Sequence, residues 1–372
     1  MKVALLDLNT QNGLVFNEIR QEFDKLFSTN QYILGPQVRE FEKDICKFLD
    51  VKNAIACSSG TDALILALKA LDIKQGDEVI TTPFTFFATA SSIARIGAKP
   101  VFADIKEDTF NLDPVKIEQA ITDKTKAIIV VHLFGQPAEM DKIMEVAKKY
   151  NLKVIEDNAQ GIGAKYGEKF AGTIGDIGTL SFFPSKNLGA MGDAGMCITN
   201  DEKLAERFYH LRVHGENPKY YHHEIGLNAR MDTMQAIVLK AKLPHLKKWS
   251  EMRVENAKFY YDNLSEVKEI ILPHIHESAS TIYNQFTIKA QDRDGLMNYL
   301  RKNDIGCAVY YPMSLHLQEC FKDLSYKDGD FPISEKLSQK VLSIPVYSEL
   351  SVEQKQFVVD KIKEYYEKEV KK

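Results

Sequence analysis

Three short stretches carry residue types and neighbours suited to chemistry. Ser58-Ser59-Gly60-Thr61-Asp62 follows a β-branched run and opens an apolar, helix-length segment. Small residues and free N–H groups at a helix start make an anion site, usually for phosphate, although the same residues also read as an ordinary cap. Asp157 closes a strand-like run at 153–156, where an acid binds a metal, acts as a base, pairs with a cationic ring or simply caps a turn. Lys186 stands in Pro184-Ser185-Lys186-Asn187-Leu188-Gly189, just beyond a strand-like run at 179–183. A lysine in a partly desolvated pocket loses its proton and can form a Schiff base. Taken alone, Lys186 reads first as a surface charge.

The combination reads differently. An anion cradle, a strand-end acid and a strand-end lysine are the parts needed for pyridoxal phosphate: phosphate site, partner for the pyridinium nitrogen and amine for the aldehyde. Phe86, after the strand ending near Thr82, is placed to stack on the ring or to serve as core. Other nucleotide readings are weak. The 58–62 stretch has no Walker lysine, and Gly161-Ile162-Gly163 lacks the rest of a dinucleotide fingerprint.

These groups need a scaffold that presents strand ends together. Short strands at 53–57, 78–82, 100–103, 126–131, 153–156, 179–183 and 196–199 alternate with helix-length segments at 61–71, 85–96 and around Met140 to Ala147. Continuous apolar strands between helices predict an α/β fold with a mostly parallel sheet covered on both faces. After Asp201 come helices at 204–211 and 231–264, broken at Pro244. From Ile282 onward the pattern reads strand, helix (293–303), strand and two more helices. The expected division is a large domain over 1–245, whose residues 1–50 pack at the dimer and active site, and a smaller α/β domain over 246–372. The charged end, 368–372, reads as a solvated tail.

The 372 residues suffice for two domains, and 48 basic against 52 acidic side chains give a net charge of −4, which speaks against a nucleic-acid footprint. Five scattered cysteines lack zinc-knuckle or redox spacing, so no metal site and a reduced, cytoplasmic setting are expected. No apolar run approaches a membrane span.

Seven segments, in order, resemble the DegT-type sugar-nucleotide aminotransferases, which are fold-type I pyridoxal phosphate enzymes. They are Tyr32-Ile33-Leu34-Gly35-Pro36, Ser59 to Leu64, Pro83-Phe84-Thr85-Phe86, Glu156 to Gln160, Ser181 to Gly189, Gly226 to Asp232, and Tyr310-Tyr311-Pro312 with Leu315-His316-Leu317-Gln318. The resemblance implies a seven-stranded, mostly parallel sheet and pyridoxal 5′-phosphate as cofactor. It makes Lys186 the Schiff-base lysine, pairs Asp157 with the ring nitrogen, and lays Gln160 against the ring's 3-hydroxyl side. Gly60, Thr61 and Ser181 would hold the phosphate, with Asn228 reaching it from the other subunit of a homodimer. Lysine at position 186, where some relatives carry histidine and dehydrate sugars, implies transamination. Glutamate would be the amino donor and a nucleotide-linked keto-sugar the acceptor, at C3 rather than C4 by the look of the 211–215 and 310–318 segments. Arg230, Tyr311 and His316 are candidate substrate contacts; Arg230 alternatively pairs with Asp232 or Glu224, and His316 alternatively is structural. Asn158 and Asp193-Ala194 depart from the family's usual residues. A sugar-nucleotide-binding, non-catalytic relative is the competing reading.

Overall fold

The computed structural model describes residues 1–369; the tail expected at 368–372 falls mostly outside the described residues. The strands are β1 (Asn53–Cys57), β2 (Glu78–Thr81), β3 (Lys99–Phe102), β4 (Thr125–Val131), β5 (Lys153–Asp157), β6 (Ile177–Ser181) and β7 (Gly195–Thr199). They form one seven-stranded sheet in the order β1-β7-β6-β5-β4-β2-β3. Neighbours from β3 to β6 run parallel, and β7 alone is reversed, antiparallel to both β1 and β6. The strands are buried almost throughout, as expected for a sheet covered on both faces. Helix α1 (Gly60–Ala70) has residues 63–68 all buried because it is wedged against β6, β7 and the neighbouring helices.

The sheet brings the chemical residues to one edge. β1 and β6 both end opposite Gly195, through the pairs Cys57–Gly195 and Ser181–Gly195. The start of α1 therefore lies beside the ends of β6 and β5, in the crevice beyond the strands' carboxyl ends where α/β sheets bind ligands. Glycines permit this approach. A Cβ on Gly195 would fall 2.3 Å from the Ser59 carbonyl carbon, and one on Gly60 would fall 2.7 Å from Ser181 Cβ.

A second, three-stranded antiparallel sheet joins Ile270–Ile271, Phe286–Ala290 and Val341–Ile344. Helices Leu246–Leu264, Arg293–Lys302 and Val352–Glu369 pack around it. Its core includes Tyr260, Phe286, Leu296, Leu342 and Val358. Val3 also belongs to this core and bridges Ile305, so the start of the chain reaches the second sheet.

Two elements differ from expectation, while the expected break at Pro244 is found. The helix expected from residue 85 starts at Ala88, because buried Phe84 anchors a turn in which its N–H donates to Thr82 Oγ1 at 3.0 Å. The segment 231–264 is two helices, Thr233–Lys242 and Leu246–Leu264, separated by a 3-10 turn at Leu243–His245 that contains Pro244. The missing proline N–H accounts for that break. Near the C-terminus the helix Pro332–Ser338 precedes the strand Val341–Ile344; residues 307–331 form turns around a cluster of Phe102, Phe321 and Phe331.

Gly195→Ala should test the close packing of β7 on the helix start. A Cβ overlapping the Ser59 carbonyl should destabilise the protein by about 1–3 kcal/mol, the usual range for overpacking. Urea unfolding followed by far-UV circular dichroism reads this directly; an unchanged midpoint would mean that the turn can yield.

Candidate active site

At the start of α1, Ser59 adopts an extended cap conformation and its Oγ accepts from the Asp62 N–H at 3.0 Å. The Asp62 carboxylate in turn accepts from the Ser58 and Ser59 hydroxyls, at 2.5 and 3.2 Å. The Gly60 and Thr61 N–H groups precede the helix's own ladder and are left for an outside acceptor. With Ser181 against Gly60, these groups meet the expected anion cradle in one place.

Asp157 and Lys186 stand at the ends of adjacent parallel strands, the lysine on the loop that leaves β6. Asp157 is only 5% exposed; Oδ2 accepts from Thr89 Oγ1 at 2.8 Å and Oδ1 from the Ala159 N–H at 3.3 Å. Burial pushes its carboxyl pKa up, opposed by those hydrogen bonds and by the positive charge of Lys186. Burial pushes the Lys186 ammonium pKa down, and the Asp157 charge pulls it back. Each group is thus desolvated and leans on the other's charge. Among the described residues the Lys186 amine has no carboxylate or carbonyl within hydrogen-bond distance. An acid without a bonded cation, an amine without an acceptor and a helix start with free N–H groups complement a cationic ring nitrogen, an aldehyde and a phosphate.

Asp157 rests on a buried network that the sequence reading missed. The neighbouring Glu156 is fully buried; its carboxylate accepts from the N–H groups of Gly172 (2.8 Å), Ile174 and Gly175 (both 2.6 Å). His132, at the end of β4, has Nε2 at 2.8 Å from Glu156. Its Nδ1 accepts from the Ala138 N–H, so Nε2 carries the proton and donates to Glu156. The His132 N–H then donates to the Asp157 carbonyl at 3.1 Å. A charged residue inside an apolar strand, next to a second acid, was the available signal. Thr89, the hydroxyl donor to Asp157, carried none.

The remaining candidates divide. Gln160 is buried with both amide ends occupied: Oε1 accepts from the Phe134 N–H at 2.7 Å, and Nε2 donates to the Tyr311 hydroxyl at 3.2 Å. The Tyr311 ring lies 6.5 Å from that of Phe86, so three distant segments converge at the crevice. Phe86 is 58% exposed in the single chain, whereas its neighbour Phe84 supplies the core contact. His316 fits the structural alternative of the two readings given for it. It is 2% exposed, bonds Glu335 at 3.0 Å and packs edge-on against Phe331, so it is a buried structural histidine. Asn228 and Arg230 line a cavity of about 420 Å³ with Ser58, Asp193, Asp232 and Gln235. Arg230 does not pair with Glu224, which Arg207 holds at 2.8 Å. Of the two departures, Asp193 faces this cavity, whereas Asn158 turns into the scaffold and donates to the Ala171 carbonyl.

Comparison with known proteins matches residues 15–363 to the DegT/DnrJ/EryC1/StrS aminotransferase family. A pleiotropic regulatory protein of Geobacillus stearothermophilus is 49% identical over 98% of this chain and 99% of its own. A UDP-N-acetyl-3-dehydro-alpha-D-glucosamine 3-aminotransferase of Acidithiobacillus ferrooxidans is 41% identical over 95% of each. The crystal structure of NtdA from Bacillus subtilis, with bound cofactor PMP, superposes with a TM-score of 0.92 at 33% identity, covering 99% of this chain and 86% of that one.

The opposed charges make a measurable demand. In cofactor-free protein, Lys186 should react with an amine acylating reagent at a lower pH midpoint than surface lysines do, read by site-resolved mass spectrometry. Asp157→Asn removes the charge that raises the lysine's pKa, so the midpoint should fall further. A midpoint equal to that of exposed lysines, or a rise in the variant, would contradict the described coupling.

Proposed function

This chain belongs to the DegT/DnrJ/EryC1/StrS aminotransferase family, and from that membership we propose that it moves an amino group from glutamate to the C3 keto group of a nucleotide-linked sugar, using pyridoxal phosphate. The observation that carries the reading is the buried Asp157 and the half-buried Lys186 at adjacent strand ends, beside a helix start with free N–H groups. The C3 position follows the Acidithiobacillus relative, whose name specifies a 3-aminotransferase. A regulatory, binding-only role is the reading suggested by the name of the Geobacillus relative. The retained Lys186, Asp157 and Gln160 favour catalysis, since binding a sugar nucleotide requires no desolvated amine.

Gly60, Thr61 and Ser181 would hold the phosphate, Asp157 the ring nitrogen and Phe86 one ring face, while Gln160 would lie by the ring hydroxyl and Lys186 at the aldehyde carbon. When bound, pyridoxal phosphate supplies an electron sink for the pair left as a proton leaves the amine-bearing carbon. Asp157, kept ionised by the cation it meets, holds the proton on the ring nitrogen. The Lys186 amine, which burial biases toward its neutral form, would take the proton from the donor's α-carbon and deliver it to the carbon that had carried the aldehyde. With the keto-sugar it moves the proton in the opposite sense. Arg230, without a carboxylate partner within ion-pair distance among the described residues, is the group offered to a substrate carboxylate. Asn228, exposed at the cavity, would complete the phosphate site of a partner subunit in a closed dimer.

Asp157→Asn should retain the cofactor but slow both half-reactions about a thousandfold, equivalent to ~4 kcal/mol in the barrier. Stopped-flow spectra with glutamate and, separately, with the keto-sugar nucleotide check this; near-normal rates would remove Asp157 from its role. The shared site is tested by mixing a Lys186→Ala chain with an Asn228→Asp chain. One site of the mixed dimer would carry both defects and the other neither, so activity should recover toward half per heterodimer. Confirmed heterodimers no more active than the parents would place Asn228 outside the neighbouring site.

A further inference from the structure

The loop that carries Lys186 is held from behind by residues with no assigned part in the chemistry. Its first turn is local, the Lys186 N–H donating to the Phe183 carbonyl at 2.8 Å. The next residue, Asn187, is 3% exposed and bonds residues of the 282–284 segment. Its Nδ2 donates to the Ile282 carbonyl at 3.2 Å, and its Oδ1 accepts from Asn284 Nδ2 at 2.8 Å. Asn284 is 8% exposed and lies just before the strand Phe286–Ala290 of the second sheet.

The 282–285 segment is itself fixed on both sides. The Ile282 N–H donates to the Gly135 carbonyl, and the Gln285 N–H to that of Phe134, whose own N–H donates to Gln160. From the second layer, buried Arg253 donates to the Tyr283 carbonyl at 3.2 Å. Gly135 packs so closely that a Cβ there would fall 2.9 Å from the Asn284 nitrogen. The short segment therefore meets the lysine loop, the Gln160 turn and the second core at once.

We propose that Asn284 is a positioning residue for Lys186: through its amide bond to Asn187 it sets where the lysine amine sits relative to Asp157. The proposal rests on Lys186 being the cofactor lysine. Among the described residues the bond to Asn187 is the one side-chain hydrogen bond of the Asn284 amide, whose Oδ1 is already unpaired, so breaking it leaves the whole amide unpaired in a dry site. Asn187 adjoins Lys186 in the chain, so a displacement of its amide is passed to the lysine backbone. The charged groups facing the loop are Asp157 at the crevice and Lys242 behind it. Lys242 donates to the Gly189 carbonyl at 2.7 Å, and burial lowers its pKa to about 8.

The test uses the holoenzyme and four variants: Asn284→Ala, the near-isosteric Asn284→Asp, Asn187→Ala and the double alanine. Asn284→Asp removes the donor without emptying the space, and so covers the case in which alanine fails to fold. Each stable single variant should keep the cofactor on Lys186, shown by the mass of the borohydride-reduced peptide. Its visible absorption should titrate with a midpoint displaced by about half a unit or more, and kcat should fall roughly tenfold with KM changed less than about threefold. The double variant should lose no more than Asn187→Ala alone, which already removes the bond from Asn284 together with the bond to the Ile282 carbonyl. Unchanged midpoint and kcat in Asn284→Asp or Asn284→Ala, or fully multiplicative losses in the double variant, would overturn the proposal. Reduced wild-type protein labelled at another lysine would instead overturn the Lys186 reading itself, a separate result.

Discussion

Burying two ionisable groups beside each other is the constraint on which the rest of this structure depends. Neither Asp157 nor Lys186 is comfortable out of water, and each favours the charged form of the other. The pull between them is only partial, because the acid has a hydroxyl and a backbone N–H and the amine has no hydrogen-bond acceptor among the described residues. Such an arrangement stores no specificity unless the surroundings hold both groups still. The scaffold around them does that with buried, fully engaged polar groups, above all Glu156, which accepts from three backbone N–H groups and His132. The cost of desolvating Glu156 is offset locally, so the Asp157 backbone is fixed without neutralising its side chain.

Sheet topology supplies the other half. Reversal of β7 sets Gly195 opposite both Cys57 and Ser181, and the absence of a side chain there allows the start of α1 to close over the strand ends. A phosphate-sized anion at that point would find N–H groups and the positive end of a buried helix together. The charge on the ligand is thus matched by backbone, leaving the side chains free to handle protons. The family's chemistry needs this division of labour, and it follows from where small residues fall in the chain.

Much of this was legible in the sequence. Continuous apolar runs announced the large sheet, and Lys186 and Asp157 stood out because polar residues directly after buried strands face the crevice. Reading failed where the decisive partner was remote. Nothing near His316 reveals that Phe102 and Phe331 enclose it, and nothing near Asn187 points to Asn284, 97 residues away. The Glu156–His132 pair depends on β4 and β5 lying side by side, a tertiary fact. The late start of the helix at Ala88 follows the turn that buries Phe84 just before it, and that burial is a tertiary contact. Local pattern located strand ends; pairing across the sheet decided what each end holds.

The most direct test of the account follows nitrogen itself. Purified holoenzyme is incubated with 15N-labelled glutamate and 3-keto sugars linked to UDP or to dTDP, and the products are examined by mass spectrometry and NMR. The account predicts label on C3 of the sugar, in wild-type protein and not in Lys186→Ala. Absence of labelled sugar with every acceptor, label at another carbon, or equal transfer by the lysine variant would contradict it.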